Sequence, residues 1–505
     1  MSLNYNFIWL LCYLLVLVGL AGYGFHRLSI VYLYWKNRNN KPQPKARFQE
    51  LPVVTVQLPM FNEKFVVDRL LESVAALDYP QDKLEIQILD DSTDDTTEQC
   101  YRKVEELKAR GFDAVCIHRT DRTGFKAGAL EAATKVAKGE FLLILDADFV
   151  PEPDLLQKTI HFFTDENVGL VQTRWGHINR EYNLLTRIQG MYLDGHFAME
   201  QTARNRSGRF FTFNGTAGIW RKCVIGDAGG WSHDTLTEDM DLSYRVQLRG
   251  WRFIYLNDVV TPAELPVDMD GFKSQQHRWT KGSIQVCQKI LLDIWRSNAP
   301  LKAKVEATTH LTCNYSYLLL ALLCFLVYPI CTQRIPENET VFMWFVNVAL
   351  FFMTSVAVCI FYMSAQIVVR PKSWWKELPY LPLLLTLSVG MAVNNAKAVL
   401  EAIFGHQSAF VRTPKYGVDR KEDRRHVSQL KRNGYRAIKS VVIPVLEIAF
   451  GTFFLNLIII MIRQGHYLSP ILMIPFLGFY YTGFCSLGRM ISNLLPAKQT
   501  AKAKN

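Results

Sequence analysis

Two aspartates, Asp146 and Asp148, directly follow the five apolar residues 141–145. Five apolar residues are too few to cross a membrane and are typical of a strand buried on both faces. Residues two apart in an extended chain point the same way, so both carboxylates can face one cation. A hard divalent cation held by one or two carboxylates keeps positions open for phosphate oxygens. The spacing therefore predicts a cation site at a strand end, although a solvated Asp-rich turn would also explain this motif alone.

Two earlier stretches repeat this arrangement. A strand predicted from residue 52 breaks at Pro59 and leads to Glu63, and one predicted from residue 84 ends in Asp90 and Asp91. Helical patterns follow these strands, and strands that alternate with helices predict a parallel, doubly wound sheet. In such a sheet ligands bind at the carboxyl ends of the strands. The three acidic strand ends are therefore expected to meet at one edge, which suits a nucleotide and its metal ion.

Glycine-rich phosphate loops are absent, since the sequence contains neither GxGxxG nor GxxxxGK[ST]. This argues against a dinucleotide-dependent dehydrogenase and against a P-loop nucleotidase. If phosphates bind, a metal ion and basic side chains must neutralise their charge.

Three further polar stretches follow along the chain. They are Asn-Gly-Thr at residues 214–216, Thr-Glu-Asp at 237–239 and Gln-Gln-His-Arg-Trp at 275–279. The two acidic residues at 238 and 239 also fit the first turn of a helix, where the helix dipole alone favours them. The Arg-Trp pair has an equally ordinary interpretation as an interfacial pair. The fixed order of these stretches after the Asp146 motif favours a shared site instead.

Uncharged apolar segments flank a region of mixed composition. Residues 7–25 are long enough to cross the roughly 30 Å hydrocarbon core of a bilayer, and residues 310–493 hold several comparable segments. No positive segment precedes residues 7–25 and no small-residue cleavage site follows them, which favours a retained span over a signal peptide. Basic residues from Arg27 to Arg47 follow the span, which places the soluble region in the cytosol.

The net charge of +11 is concentrated beside the apolar segments. Anionic lipid headgroups and the positive-inside bias explain this placement better than nucleic acid does. Membrane lipids are therefore expected partners, and nucleic acid is not. The ten cysteines are scattered without a CxxC pair, so neither a disulfide framework nor a zinc site is predicted.

Taken together, the polar stretches resemble the signature of membrane-embedded family-two glycosyltransferases. The similar residues are Asp90-Asp91, Asp146-x-Asp148, Thr237-Glu-Asp239 and Gln275-x-x-Arg278-Trp279. Within that family the chain is similar to the cellulose synthase and mannan synthase branch, over about residues 50–417. The resemblance implies a GT-A-type α/β domain, doubly wound and Rossmann-like, inserted between transmembrane helices.

The resemblance also implies a role for each matching residue. Asp239 would be the general base with Glu238 beside it, and Asp146 and Asp148 would hold Mg²⁺ or Mn²⁺. The nucleotide-sugar donor would contact Glu63, Asp90, Lys126, Asp146, Gln275, Arg278, Trp279, Thr413 and Lys415. The acceptor would contact Asn214, Gly215, Thr216 and Trp279.

The implied reaction is the transfer of a hexose from UDP-glucose or GDP-mannose to a growing β-linked polysaccharide. One base and direct attack predict inversion, and an aromatic platform beside membrane helices favours a processive enzyme that translocates its product. Residues 410–415 read Phe-Val-Arg-Thr-Pro-Lys rather than the Phe-x-Val-Thr-x-Lys usual in cellulose synthases, which leaves donor and acceptor open. A non-processive transferase acting on a lipid, a glycoside hydrolase and a non-catalytic transporter are the alternatives.

The expected organisation follows from these segments. It comprises a transmembrane helix (1–35), a cytosolic catalytic domain (50–285), an interfacial helix (286–309), a transmembrane hairpin (310–370), an interfacial or re-entrant helix (378–404), a gating loop with a basic segment (405–440), a second hairpin (441–493) and a basic tail (494–505). Residues 378–404 are predicted not to cross, because crossing would place residues 412–439, with ten basic and three acidic side chains, outside.

The expected location is a bacterial inner membrane, or the plasma membrane or Golgi of a eukaryote, and accessory export proteins are further expected partners. The tail at residues 494–505 is too short for a regulatory cyclic-dinucleotide domain, so that form of control is not expected.

Overall fold

The computed structural model describes residues 5–332, 349–350, 352–406, 413, 415–418, 441–464 and 470–494. In these residues a seven-stranded sheet lies between helices, and apolar helices precede and follow it. The strands are β1 (Val54–Met60), β2 (Leu84–Asp90), β3 (Asp113–His118), β4 (Phe141–Ile144), β5 (Val168–His177), β6 (Gly218–Arg221) and β7 (Arg252–Ala263).

The α-helices fall into a sheet-associated set and an apolar set. The first set is α2 (Val67–Ala75), α3 (Thr96–Ala109), α4 (Phe125–Val136), α5 (Leu155–Thr159), α6 (Leu184–Asp194), α7 (Thr202–Arg206), α8 (Lys222–Asp227), α9 (Glu238–Leu248) and α10 (Met269–Arg296). The second is α1 (Tyr5–Asn37), α11 (Leu301–Thr312), α12 (Tyr315–Thr332), α13 (Ala357–Val369), α14 (Leu381–Gly390), α15 (Ala392–Ile403), α16 (Val442–Arg463) and α17 (Pro470–Leu494). A π-helical segment, Gly195–Gln201, joins α6 to α7.

The strand order is β3-β2-β1-β4-β6-β5-β7. As the alternation of strands and helices predicts, β1 runs parallel to β2 and β4, and β2 runs parallel to β3. In contrast, β6 runs antiparallel to both β4 and β5, so the prediction of a purely parallel sheet is wrong at this strand. Hydrophobic periodicity indicates that a segment is a strand but not the direction in which it runs, so the residues of β6 could not show its antiparallel pairing. The mixed sheet is of the GT-A type that the resemblance implies.

Burial on both faces fixes the position of β4. Phe141 and Leu143 pack in the core cluster on one side of the sheet, whereas Leu142 and Ile144 pack in the cluster on the other. All four side chains are at most 1% exposed. Truncation of one such leucine to alanine typically costs about 2–5 kcal/mol. The strand end that leads to Asp146 is therefore anchored from both sides.

Several helices are long and apolar enough to cross a membrane. Three of them are long and apolar enough as single helices, namely Ile8–Asn37, Phe352–Val369 and Val442–Arg463. Two bent pairs, Leu301–Thr312 with Tyr315–Pro329 and Trp374–Gly390 with Ala392–Ile403, raise the number to at most five in the described part of the chain. The second pair bends by 41°, which fits either a broken span or the re-entrant segment that we predict for residues 378–404.

A cysteine at position 423 tests this topology. In a chain without its native cysteines, Asp423→Cys is expected to resist an impermeant thiol reagent added outside intact cells, and to react after permeabilisation. The reason is the basic segment around it, which the positive-inside bias retains in the cytosol. Position 423 lies outside the described residues, so this expectation comes from the sequence. Labelling of intact cells would contradict the re-entrant model.

One buried and one partly buried ion pair join α10 to the apolar helices. Lys273 of α10 donates a hydrogen bond of 2.6 Å to Glu447 of α16, and both side chains are at most 2% exposed. Arg489 of α17 pairs with Asp268, whose carboxylate also caps α10 by accepting from the Gly271 N–H at 2.9 Å. Breaking a buried pair leaves an uncompensated charge, which costs roughly 3–5 kcal/mol. These contacts therefore fix the orientation of α10 relative to the apolar helices.

Candidate active site

A cavity of about 210 Å³, which we call the acidic cavity, lies at the carboxyl ends of β1, β2 and β4. Its lining brings together most of the residues that the sequence singles out, namely Glu63, Lys126, Asp146, Asp148, Asn214, Gly215, Glu238, Asp239, Gln275, Arg278, Trp279, Thr413 and Lys415. These residues are spread over some 350 positions of the chain, so only the fold makes them neighbours.

Asp146 is fixed by its backbone and by a lysine. Its N–H donates to Thr216 Oγ1 at 2.8 Å, and its carboxylate pairs with Lys126. Lys126 also donates to the carbonyl oxygen of Gly215 at 2.9 Å. Burial lowers the pKa of Lys126, but the carboxylates of Asp146 and Glu238 outweigh it and leave the pKa raised. Lys126 therefore supplies a fixed positive charge beside Asp146.

Asp148 is only 3% exposed and faces a second lysine. Lys415 donates to Asp148 Oδ2 at 2.6 Å, and the backbone N–H of Glu264 donates to the same oxygen at 3.2 Å. A carboxylate as buried as this needs a compensating cation. In this structure the Lys415 ammonium supplies that charge.

Asp146 and Asp148 fit a divalent cation whose other ligands come from a diphosphate. No group of three or more His, Cys, Asp or Glu side chains that could hold a metal occurs among the residues that the structure describes. Mg²⁺ needs only one or two protein carboxylates when phosphate oxygens and water complete its octahedron, and Mn²⁺ takes similar oxygen ligands. Because each aspartate already lies beside a cationic group, both positions are suited to positive charge.

Asp239 lies in the first turn of α9, and its side chain reaches the acidic cavity. Its Oδ1 accepts a hydrogen bond of 2.8 Å from the Met240 N–H. Burial, followed by the neighbouring Glu238 carboxylate, raises the pKa of Asp239 to about 7. A carboxyl group with a pKa near neutrality is well matched to accept a proton at physiological pH. The helix dipole alone would explain an acidic residue at this position, but it would not explain the burial at the cavity or the raised pKa.

Gly215 provides the space beside Asp239. Its φ is +80°, a conformation that glycine adopts at little cost. A Cβ atom at this position would lie 3.1 Å from Asp239 Oδ2. The glycine of the Asn-Gly-Thr motif therefore allows the backbone to approach the carboxylate closely.

The helix α10 presents Gln275, Arg278 and Trp279 to the same cavity. Their i, i+3, i+4 spacing places them on one face of the helix. Burial lowers the pKa of Arg278, and the carboxylates of Glu238 and Asp146 oppose this effect. An arginine remains charged under all physiological conditions, so Arg278 adds a third cation to this site, after Lys126 and Lys415.

Asp90 and Thr216 do not line the acidic cavity, although the resemblance assigns both to ligands. Asp90 is fully buried, accepts a hydrogen bond of 2.7 Å from Thr97 Oγ1 and lies 2.8 Å from His118 Nδ1. Its neighbour Asp91 does line the cavity. A nucleotide contact by Asp90 stays a prediction, and it would require these internal hydrogen bonds to change.

Glu264 is a functional candidate that the sequence does not reveal. Its carboxylate accepts hydrogen bonds from the backbone N–H groups of Tyr416 at 3.0 Å, Gly417 at 2.9 Å and Val418 at 3.2 Å. These contacts hold the segment that carries Lys415 against the end of β7. The only sequence signal is the position of an acidic residue directly after that strand, which is too common to be informative.

A larger cavity of about 630 Å³, which we call the membrane-side cavity, adjoins the acidic cavity. Its walls include residues of α1, α12, α13, α14 and α17. The residues that line both cavities are Trp175, Leu193, Asn214, Thr237, Asp239 and Trp279. The acidic site and the space between the apolar helices are therefore contiguous.

Comparison with known proteins gives matches over the catalytic domain and the membrane region. The family model described as glycosyltransferase-like family 2 matches residues 52–282. Glucomannan 4-beta-mannosyltransferase 2 of Arabidopsis thaliana is 42% identical over 286 residues, which are 54% of this chain and 53% of that protein. Glucomannan 4-beta-mannosyltransferase 1 of Oryza sativa subsp. japonica is 40% identical over 277 residues, with the same two shares. The chain thus spans about half the length of the curated relatives that it matches.

A solved structure supports the fold. A mannosyltransferase of Pyrobaculum calidifontis, in complex with GDP-Man and Mn²⁺, has a TM-score of 0.55 and 20% sequence identity. The match covers 78% of this chain and all of that protein. A second family model, cellulose synthase, matches residues 218–465 and so extends from β6 through α10 to α16. The two family models together match residues 52–465, and over this range the chain is similar to family-two glycosyltransferases and to cellulose synthases.

Proposed function

We propose that this protein transfers a hexose from a nucleotide sugar to a growing β-linked polysaccharide, with inversion at the anomeric carbon of the sugar. We propose further that the enzyme is processive and that its product enters the membrane-side cavity. The observation that carries the proposal is that Asp239 and Trp279 line both cavities. The names of the plant relatives favour mannose as the transferred sugar, so GDP-mannose is the first donor to test and UDP-glucose the second. The basic segments that flank the spans favour a cytosolic catalytic domain.

The proposed chemistry assigns proton transfer to Asp239. An acceptor hydroxyl attacks the anomeric carbon, a C–O bond forms to the acceptor, and the bond to the diphosphate oxygen breaks. The hydroxyl proton passes to the Asp239 carboxylate, and the nucleoside diphosphate leaves with the electron pair. Attack from the face opposite the leaving group inverts the anomeric carbon, which gives a β-linked product from an α-linked donor. Trp279 offers a flat apolar face against which the acceptor sugar can pack.

The remaining residues would stabilise charge on the diphosphate. Lys126 and Arg278 place positive charges at the wall of the acidic cavity, where they can stabilise the charge that develops on the leaving diphosphate. Asp146 and Asp148 would hold Mg²⁺ or Mn²⁺, which when bound supplies Lewis-acid stabilisation of the leaving group. Lys415 donates a hydrogen bond to Asp148 in this structure, and it would have to release that carboxylate for Asp148 to hold a metal ion.

Product size decides between the polymer proposal and transfer to a lipid. Purified protein in lipid vesicles is to be incubated with labelled GDP-mannose or UDP-glucose and Mn²⁺, and the products separated by length. Chains of many hexoses, cleaved by an enzyme specific for β-linked mannan or glucan, are expected. A lipid that carries a single added sugar would instead establish the non-processive alternative. Release of the free sugar without any glycosylated acceptor would contradict both the polymer proposal and the lipid alternative.

The pKa of Asp239 predicts the pH dependence of transfer. Since the base must be ionised, kcat/KM is expected to rise with pH through about 7 and to level off above it. Below the midpoint the rate should fall about tenfold per pH unit, because the ionised fraction falls in that proportion. Initial rates from about pH 5 to about pH 9 at saturating Mn²⁺ give the profile. A profile without a limb near neutrality would contradict the assignment of the base.

A further inference from the structure

Glu264 uses all of its polar groups to join one aspartate of the acidic cavity to the segment that carries Lys415. Its backbone N–H donates to Asp148 Oδ2 at 3.2 Å, and its carbonyl oxygen accepts a hydrogen bond of 3.4 Å from the Lys415 ammonium. Its carboxylate accepts from the backbone N–H groups of residues 416–418. The proposed reaction assigns no role to Glu264.

The three N–H groups belong to consecutive residues, which we call the 416–418 nest. Glu264 Oε1 accepts from Tyr416, whereas Oε2 accepts from both Gly417 and Val418. Gly417 has a φ of +66°, and a Cβ atom there would lie 2.8 Å from the carbonyl oxygen of Phe65, so both the turn and its close packing require glycine. Successive N–H groups of a turn form a concavity that binds anions. Here the bound anion is the side chain of Glu264.

Apolar packing holds the same nest from its other side. Tyr416 and Val418 are buried, and they pack with Tyr182 and Val267 in one hydrophobic cluster. Lys415 directly precedes these buried residues, and its side chain lines the acidic cavity. The nest is therefore a fixed point from which the Lys415 ammonium reaches into the cavity.

The negative charge of Glu264 suits it to this contact. Its side chain is 1% exposed, and the guanidinium of Arg69 lies 3.7 Å from Oε2. A carboxylate so deeply buried is stable only when hydrogen bonds and cations compensate its charge. Hydrogen bonds to an ionised acceptor are also stronger than those to a neutral one. A glutamine amide would present a donor as well as an acceptor to the three N–H groups, so it could not hold all of them.

From these contacts we propose that Glu264 is a positioning residue for the donor: its carboxylate anchors the 416–418 nest, and the anchored nest sets the reach of the Lys415 ammonium toward the diphosphate. The inference rests on the proposed function and deepens it, because it names the group that places a donor-binding lysine. Lys415 now donates to Asp148 at 2.6 Å. With the nest held, an ammonium released from Asp148 stays at the wall of the acidic cavity, where the diphosphate would bind. Glu264 acts through Lys415 and does not itself contact the donor.

A double-mutant cycle tests this dependence. Glu264→Gln, Lys415→Ala and the doubly substituted protein are prepared as the full chain in detergent, and the Kd for GDP or UDP with Mn²⁺ is measured by titration calorimetry. Each single substitution is expected to raise the Kd about tenfold, and the double substitution less than about twofold beyond Lys415→Ala alone. Independent contributions would instead multiply to about 100-fold. The values of kcat/KM for hexose transfer should be non-additive in the same way.

Hydrogen exchange gives a measurement that does not depend on the reaction. The amides of residues 416–418 should exchange slowly in the unmodified protein, because they are hydrogen-bonded to a buried carboxylate. Glu264→Gln is expected to accelerate their exchange at least about tenfold and to leave the amides of β4 protected. Gly417→Ala disturbs the same nest without altering the carboxylate, and it should reproduce both the rise in Kd and the non-additivity with Lys415→Ala.

Matched variants control for the loss of a buried carboxylate and for strain at a glycine. Glu85→Gln makes the same change at a carboxylate that is also 4% exposed and that also accepts a backbone N–H, from Lys138 at 2.8 Å. Gly208→Ala replaces a glycine whose φ of +67° nearly equals that of Gly417. Neither Glu85 nor Gly208 lines either cavity, so both variants should bind the nucleotide with an unchanged Kd.

Multiplicative losses in the doubly substituted protein, or an unchanged Kd in Glu264→Gln, would overturn the positioning role. A lower Kd in Glu264→Gln would also overturn it, because that result would show that the nest, once freed of its carboxylate, binds the diphosphate itself. Non-additive loss of nucleotide affinity in a protein that transfers no hexose would leave the positioning role standing and refute the proposed function. An unmodified protein that binds neither GDP nor UDP would contradict both.

Discussion

Replacement of Asp239 by Asn is expected to lower hexose transfer roughly 100- to 10,000-fold, the contribution typical of a general base. The amide has nearly the same shape but cannot accept the hydroxyl proton. Donor affinity should stay within about twofold, because Lys126, Arg278 and the Asp146 and Asp148 pair carry the contacts to the diphosphate in the proposed site. Transfer rates and titration of the nucleoside diphosphate with Mn²⁺ measure the two effects separately.

Two comparisons make this test specific. Asp227→Asn makes the same chemical change at an exposed carboxylate that lines neither cavity, and it should leave transfer unchanged. Asp148→Ala should lose Mn²⁺-dependent donor binding, which Asp239→Asn retains. Substantial turnover by the Asp239→Asn protein would contradict the assignment of the base.

The stability of the same variant has a predictable sign. The fold raises the pKa of Asp239 from the ordinary aspartate value of 3.8 to about 7, so ionisation of the buried carboxyl destabilises the protein increasingly as pH rises between these values. Asp239→Asn should therefore melt at a higher temperature than the unmodified protein above about pH 7, and at a similar temperature near pH 4. A base retained at the expense of stability is typical of an active site.

Much of the site could be predicted because its signals are local. The apolar residues of β4 and the two aspartates that follow them adjoin in sequence, and burial on both faces requires just such a run. The motif of Gln275, Arg278 and Trp279 is also local, because helical spacing alone places the three on one face. The family resemblance added the roles of these residues but was not needed to bring them to a common edge.

Other features could not be predicted because they depend on distant or alternating positions. The contacts of Glu264 join residues about 150 positions apart, and they use backbone N–H groups that any residue type supplies. Asp90 and Asp91 are adjacent, and successive side chains of a strand point to opposite faces, so the sequence could not show which of them reaches the cavity. The structure places Asp91 there and buries Asp90 against Thr97.

The second large effect is expected from Thr413→Ala combined with Lys415→Ala. The structure describes residues 413 and 415–418 of the predicted gating loop, and both substituted side chains line the acidic cavity. Thr413 Oγ1 is buried there and has no hydrogen-bond partner in the described part of the chain. A hydroxyl and an ammonium at this wall can each donate to a diphosphate, and loss of one such donor typically costs 100-fold or more. We therefore expect transfer to fall by at least about 100-fold.

The matched control is Lys397→Ala, which removes an ammonium that is about half exposed, lies on α15 and lines neither cavity. Its transfer rate should be unchanged. The double variant should sediment with membranes as the unmodified protein does, because α1 and the helices after α10 remain intact. Transfer from reconstituted vesicles and the membrane-bound fraction are the two measurements.

The competing interpretation is that residues 406–417 bind lipid headgroups through their basic side chains. That interpretation predicts near-normal transfer with an altered dependence on anionic lipid, whereas a lid predicts a large loss that lipid composition does not restore. The contacts favour the lid, because the Glu264 carboxylate holds residues 416–418 at the end of β7 and Lys415 donates a hydrogen bond to Asp148. Gly405 and Gly417 both have a φ of +66°, a conformation that glycine adopts readily and that suits a hinge.

A lid of this kind should move Lys415 from Asp148 to the diphosphate as the donor binds and should exclude water during transfer. Near-normal transfer by the double variant in vesicles without anionic lipid would therefore refute it.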